Sequence, residues 1–571
     1  MVILGLTNIN SLNQAAILLV DGKIKSWSEE ERFSRKKYSQ GSGGIYPPHQ
    51  TVSWVLDREG MTLNDVDYIA IGHSSMIDVS KFWSKKSFYK NIELEGVDKM
   101  NHLHKWSDRY LVNQQNNMLL FIAELAERSD EGINNILSKI VYQDHHKCHV
   151  ASTVIPSGFE HTNFITLDGD GGETAGYYGF FDGVELEYLS YHHPLGSIGE
   201  LYSDITEKLG WMRHQHEGKT MGLACYGDFD NALLNPIYKE NAEGFLLSNN
   251  NEMITWMEDN HPDVLKELFL KHETNEARNL AASIQHVQEK LVMYNHHRLQ
   301  QLHPSDNLCV AGGSMLNCTA NGKLAKETNL YVQPGTHDSG TALGAAILTH
   351  KQFTGEWPHI RQHTAYYGRQ FTHHDFEVHI SQNDEFKDKF HFEKVDVSEV
   401  LANLIHEDKV VAYFEGRSEV GPRALCHRSI LANPTKKENL DRLNRIKKRE
   451  WWRPLAPTIA EEYISKITHL NQTSPFMLIA TKVRREWRDK IPAVTHVDNS
   501  CRPQTVNESQ NYLIYKSLIK FKELSGVPVF MNTSFNIQEP LVDSPEDALR
   551  TFLKSDGIDY LLAEGLLISK K

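Results

Sequence analysis

Cysteine is scarce and scattered. The six thiols, Cys148, Cys225, Cys309, Cys318, Cys426 and Cys501, form no two-apart pair, which argues against a zinc knuckle or a C-x-x-C redox motif and leaves reduced cysteines as the expectation. Long apolar runs are missing too. No stretch approaches the roughly 18 residues of a membrane span, and Met1 leads straight into the strand-like Val2-Ile3-Leu4-Gly5-Leu6 without a signal-type segment, so no membrane association and a cytoplasmic location are expected. Positive charge is in deficit. With 60 Lys and Arg against 74 Asp and Glu, the net charge of -14 argues against a broad electrostatic grip on nucleic acid. Low-complexity segments and long linkers are absent as well. What remains is an ordinary globular composition, 40% apolar and 23% charged over 571 residues, enough for two or three packed units.

Four residues far apart in the chain sit in contexts suited to holding a metal beside a phosphate. His145 and His149 are four apart, so on a helix they share a face and their imidazoles can converge on one ion. Spacing alone is weak evidence: 30 histidines give roughly one or two such pairs by chance, and His359 with His363 is one without supporting context. Corroboration comes from Asp168, where the buried strand pattern 163–167 runs into Asp168-Gly169-Asp170-Gly171-Gly172. A carboxylate closes the strand, and Gly169, Gly171 and Gly172 allow backbone N–H groups to face an anion closely. Gly312, Gly313 and Asn317 form a second such loop. In a third, Asp338 precedes a small-residue helix whose N-terminus suits a phosphate.

An internal echo points to the fold. Residues 15–20 pass through Asp21-Gly22 into a return strand, and residues 175–181 pass through Asp182-Gly183 into another. Two phosphate-facing hairpins opening two halves of a chain, each then turning helical (residues 119–137 and 279–301), follow the plan of a duplicated actin-like ATPase. The pattern breaks near 355–375, and α/β alternation resumes at Val395. The expected organisation is therefore α/β throughout, with an actin-like domain over 1–365 and a second α/β unit over 366–571.

That second unit carries its own anion-binding signals. Arg423 lies in a Gly-Pro-Arg loop after a strand, and residues 436–453 hold eight basic against three acidic side chains, among them Lys447 and Arg453. Such a run is ordinarily a solvated helix face. Arg502 before a proline and Ser534 at a strand end add a guanidinium and a hydroxyl, and converging Arg, Lys and Ser suit a doubly charged phosphate ester.

These segments resemble, over nearly the full length, the O-carbamoyltransferase family of nodulation-factor and antibiotic-tailoring enzymes. The matching residues are Glu29 to Lys36, the His145/His149 helix, the Asp168 loop, Glu217 to Ala224, the Asp338 loop, Gly421 to Leu425, Arg453-Pro454 and Asn532 to Asn536. The resemblance implies an actin-like (ASKHA) domain similar to the one transferring threonylcarbamoyl groups to tRNA, followed by a YrdC-like domain. It implies ATP-dependent O-carbamoyl transfer, in which the YrdC-like domain makes carbamoyl adenylate from carbamoyl phosphate and ATP. Carried over by motif, Arg423, Lys447, Arg453, Arg502 and Ser534 would bind the donor and nucleotide there, with Mg²⁺ accompanying ATP. His145, His149, Asp168 and Asp338 would hold a divalent metal, Fe²⁺ by resemblance, although such a ligand set also suits manganese or zinc. Arg32 and Lys219, in the matched segments, are expected catalytic residues.

Two departures from the family pattern stand out. Its His-Asp pair, a candidate general base, is replaced by Leu12 and Asn13, which leaves His214 or His216 as candidate substitutes. Cys426-His427 replaces Gly-Asn of the arginine loop. Two alternatives stay open: a sugar-kinase-like actin-fold ATPase, and a non-catalytic homologue that binds carbamoyl adenylate. The expected acceptor is a small-molecule hydroxyl; a hydroxymethylated pyrimidine in a nucleotide or DNA, and a homodimeric assembly, stay open as well.

Overall fold

The computed structural model describes the chain apart from residues 10, 42–43, 46, 74–119, 128–131, 170–173, 230–232 and 262–273. Gly171 and Gly172 lie outside the described residues. Two five-stranded sheets organise the N-terminal part. β1 (Val2–Thr7), β2 (Ala15–Val20), β3 (Lys23–Glu29), β4 (Tyr68–Gly72) and β5 (Ile140–Tyr142) are ordered β3-β2-β1-β4-β5, with β1 antiparallel to β2 and parallel to β4. β6 (Thr162–Thr166), β7 (Gly176–Phe181), β8 (Leu186–His192), β9 (Asn307–Ala311) and β10 (Asn329–Val332) repeat that order as β8-β7-β6-β9-β10, with the same pairing senses. The repetition is the duplicated actin-like plan.

Local chemistry explains the elements. β1 and β2 are apolar and almost wholly buried, as strands covered on both faces must be. Between β2 and β3, Asp21 and Gly22 both take positive φ, 47° and 71°, the backbone of a tight two-residue hairpin. The expected helix over 279–301 spans Asn275–Leu302. The pattern over 119–137 resolves into helix at 120–127 and at Ile133–Lys139.

Each half ends on a helix that follows its fifth strand. α1 (His145–Ser157) follows β5, and α2 (Ser339–Thr354) follows β10. The two pack against each other closely: a Cβ added at Gly344 of α2 would lie 1.9 Å from the Cys148 carbonyl oxygen of α1, an approach that only glycine permits. Pseudo-equivalent helices from the two halves thereby bring the starts of both to one place.

The C-terminal unit is one mixed sheet flanked by helices. β11 (Phe390–Lys394), β12 (Val411–Phe414), β13 (Arg428–Ala432), β14 (Ala456–Ala460), β15 (Gln504–Val506), β16 (Val529–Ser534), β17 (Tyr560–Ala563) and β18 (Leu566–Lys570) run in the order β11-β18-β17-β12-β13-β16-β14-β15. Its core is continuous with that of the second N-terminal sheet and one face of the first, through Trp27, Leu167, Leu425 and Phe530 among others. A separate cluster around Leu4, Leu18, Val55 and Ile71 fills the other side of the first sheet.

Candidate active site

α1 starts at His145 because Asp144 caps it, its carboxylate accepting the Lys147 N–H at 2.8 Å. His145 and His149 then face Asp168, just past β6, and Asp338, at the start of α2. His149 Nε2 lies 3.0 Å and His145 Nε2 3.3 Å from Asp168 Oδ2, and both lie 3.6 Å from Asp338 Oδ1. One donor atom from each of the four residues falls within 4.8 Å of the others. The His145 Nδ1 is 3.2 Å from the Gly72 carbonyl oxygen, so Nδ1–H donates outward and Nε2 presents its lone pair to the cluster, the orientation that a metal-binding histidine needs. The donor set, its spacing and this outer hydrogen bond fit a divalent ion.

Electrostatics sharpen the picture. Burial opposes charge on His145, but Asp338 and the hydrogen bond to Asp168 outweigh it and hold the imidazole at about 9. His149 is raised by Asp168 and Asp338 in the same way against burial. Despite burial, hydrogen bonds with both histidines hold Asp168 well below the usual carboxylate range, and the histidines also lower Asp338. The cluster therefore stabilises positive charge at its centre.

The loops around it act as expected of close backbone approaches. Gly312 has φ 97°, and a Cβ there would lie 2.2 Å from the Leu167 carbonyl oxygen. The adjacent Gly313 N–H donates to Asp168 Oδ1 at 3.0 Å. Gly169 lies under the Glu200 carboxylate. Asn317 is held by Gln285 and Gln288, its amide nitrogen donating to the Oε1 of each at 2.8 Å.

A second cluster forms in the C-terminal unit. Lys447, 4% exposed, donates from Nζ to the Ser534 hydroxyl at 3.0 Å, the Ser534 carbonyl at 2.6 Å and the Asn536 carbonyl at 2.5 Å. Burial, with Arg449 next to it, pushes its ammonium well below the usual lysine value. Burial and Arg502 bring Arg423 down to about 9, and burial with Arg453 and Arg502 brings Arg449 to about 9. So many cations, with Glu450 the near carboxylate, make a site that a polyanion would relieve. Arg449 had only the basic run 436–453 as its sequence signal.

Other expected residues lie along the seam between the units. Arg32, 3% exposed, donates to Glu29 at 2.9 Å and to the Gly421 carbonyl at 3.0 Å, while Glu29 accepts the Gly421 N–H at 2.9 Å. Lys219 reaches across to Glu450 at 2.9 Å. His214 Nε2 accepts from Arg213 Nε at 3.1 Å, and His216 Nδ1 accepts from the Met212 N–H at 3.2 Å. One cavity of about 1350 Å³ is lined by all of these and by both clusters, from His145, Asp168 and Asp338 to Arg423, Lys447, Arg502 and Ser534.

Family models for the carbamoyltransferase N-terminus and C-terminus match residues 3–347 and 402–570. The chain belongs to the carbamoyltransferase family. Nodulation protein NolNO of Sinorhizobium fredii is 33% identical over 594 residues, covering 100% of this chain and 80% of that protein. The 3'-hydroxymethylcephem-O-carbamoyltransferase of Amycolatopsis lactamdurans is 38% identical over 268 residues, 46% of this carbamoyltransferase and 49% of that one. HypF of T. kodakarensis, a solved structure, is 13% identical with a TM-score of 0.36, over 62% of this chain and 48% of that chain. The carbamoyltransferase has no helix among its described residues long and apolar enough to cross a membrane.

Proposed function

We propose that this carbamoyltransferase activates carbamoyl phosphate with ATP in the C-terminal basic cluster and passes carbamoyl adenylate to the His/Asp cluster for transfer to a small-molecule hydroxyl. The observation that carries this reading is the shared cavity, whose wall holds both clusters. An unstable acyl intermediate made at one end can reach the other without leaving the protein.

The chemistry follows from the donor. The amide nitrogen of carbamoyl phosphate feeds electrons into its carbonyl, so it is a sluggish acyl donor, and an adenylate is more reactive. In balance, carbamoyl phosphate, ATP and water give carbamoyl adenylate, phosphate and pyrophosphate. Arg423, Arg449, Arg453 and Arg502 neutralise the phosphates, and Lys447 with Ser534 fixes the donor. The acceptor hydroxyl oxygen then bonds to the carbamoyl carbon as the bond to AMP breaks. His145, His149, Asp168 and Asp338 would hold a divalent ion, which when bound would supply positive charge to stabilise the phosphate of the leaving AMP. The Gly169 and Gly313 backbone orients that phosphate, and Arg32 and Lys219 line its route. In this reading the work is divided between residues 1–365 and 366–571.

Product analysis tests it. With ATP and carbamoyl phosphate together, pyrophosphate and AMP appear in equal amounts; with ATP alone, neither does. ADP formed regardless of carbamoyl phosphate would identify a kinase-type actin-fold ATPase instead.

A further inference from the structure

Carbamoyl phosphate presents two chemistries to a protein, a charged phosphate and a neutral NH₂ group. The cations of the C-terminal cluster answer the first. An amine is a hydrogen-bond donor, as arginine and lysine are, so it needs an acceptor that those side chains do not supply. The side-chain oxygens at the end of β16 are engaged with cations. Ser534 Oγ and Asn536 Oδ1 both accept from Lys447 Nζ, and Thr533 Oγ1 accepts from Arg449 at 3.4 Å. Glu450 is paired with Lys219 at 2.9 Å and lies 3.6 Å from Arg453.

Asn532, two residues before Ser534 on β16, differs from these. Alternation along the strand puts the two side chains on one face, and both residues line the shared cavity with Arg423 and Lys447. Asn532 is 1% exposed. Its Nδ2 donates to Thr458 Oγ1 at 3.0 Å, Gln504 Oε1 at 3.1 Å and Cys426 Sγ at 3.2 Å. Gln504 fixes which end of the Asn532 amide is which: its own Nε2 donates to the Leu425 carbonyl at 3.0 Å, so only its oxygen faces Asn532. The other end of the amide, Oδ1, is buried and accepts from no donor among the described residues. Burying an acceptor without a donor is costly. This one belongs to a residue in the wall of the cavity that holds the phosphate-binding cations.

We infer that Asn532 Oδ1 accepts an N–H of the carbamoyl amine and so selects carbamoyl phosphate over acyl phosphates of the same shape, an inference that rests on the function proposed above. Acetyl phosphate is the decisive comparison. It carries a methyl group where carbamoyl phosphate carries NH₂, with the same planar carbonyl and the same phosphate, so the cations hold both alike. The amine satisfies the Asn532 oxygen, whereas a methyl group leaves it buried and unpaired, and sites that hydrogen-bond a substrate N–H reject analogues lacking it.

The test reads pyrophosphate release by the full chain with ATP and carbamoyl phosphate, using acetyl phosphate as the competitor. In the wild type the inhibition constant of acetyl phosphate should exceed the KM for carbamoyl phosphate by about 10- to 100-fold. Asn532→Leu removes the acceptor and should bring the two constants together. Asn532→Asp loses the same Nδ2 donor but keeps an oxygen in place, so the preference should persist while repulsion of the phosphate raises both constants. A wild type without the preference, a preference that survives in Asn532→Leu, or one lost equally in both variants overturns the assignment of Asn532 alone. A wild type that releases no pyrophosphate with carbamoyl phosphate overturns the underlying function too.

Discussion

Ser11 donates its hydroxyl proton to Asp338 Oδ2 across 2.7 Å, joining two loops 327 residues apart in the chain. The bond fixes one carboxylate of the His/Asp cluster from outside, and such outer partners are commonly worth about 10- to 100-fold in metal affinity. Ser11→Ala should therefore weaken Mn²⁺ binding by about tenfold in calorimetric titration, and Ser11→Thr should restore it. Equal affinities in all three proteins would show that the loop closes for another reason.

The two clusters should separate by half-reaction. Asp338→Ala removes a cluster carboxylate and should abolish transfer, leaving a first-turnover burst of pyrophosphate. Ser534→Ala removes a hydroxyl 3.0 Å from Lys447 Nζ and should slow the burst itself. Loss of the same half-reaction in both variants would contradict the division of labour.

Metal binding should depend on pH with a definite sign. His145 is held at about 9 by Asp338 and Asp168 against burial, so below that value an incoming cation must displace its proton. Apparent Mn²⁺ affinity should rise by up to about tenfold per pH unit up to about pH 9 and then level off. In the metal-free protein the raised value acts on stability the other way: the contribution is full below the unfolded value near 6.5 and is lost as pH rises through about 9.

Glu415 and Glu564 end adjacent parallel strands, β12 and β17. Burial first, and the neighbouring Glu564 second, raise Glu415 from 4.5 to about 8. A carboxyl raised on folding favours the folded state at low pH and loses that contribution as pH climbs through about 8. Glu415→Gln should raise the melting temperature at pH 8.5, with no gain below pH 4.5.

Arg32, buried against Glu29 and Gly421, joins the units. Arg32→Ala should cost about 3–5 kcal/mol in denaturant unfolding, because Glu29 is left buried without its cation. A change under about 1 kcal/mol would mean that the seam does not depend on this pair.

Much of the fold was legible because its signals are local. The Asp21-Gly22 hairpin and the buried apolar strands each follow from a few neighbouring residues, and the repeated hairpin revealed the duplication. The four members of the His/Asp cluster were legible as candidates by residue type and by their places at strand and helix ends. Arg449 was hidden within its basic run, since charge spacing does not say which face a side chain takes. Ser11 had no local signal at all: a serine in a polar loop is ordinary.

The sequence alone determined which segments become strands and helices, and which residues could ligate a cation or hold an anion, because backbone propensity and side-chain chemistry act at short range. Tertiary structure decided that α1 meets α2, that Ser11 reaches Asp338, and that both clusters open into one cavity. Those contacts depend on how two repeated sheets and a third unit pack, a sum of many weak apolar contacts that no short stretch of chain encodes.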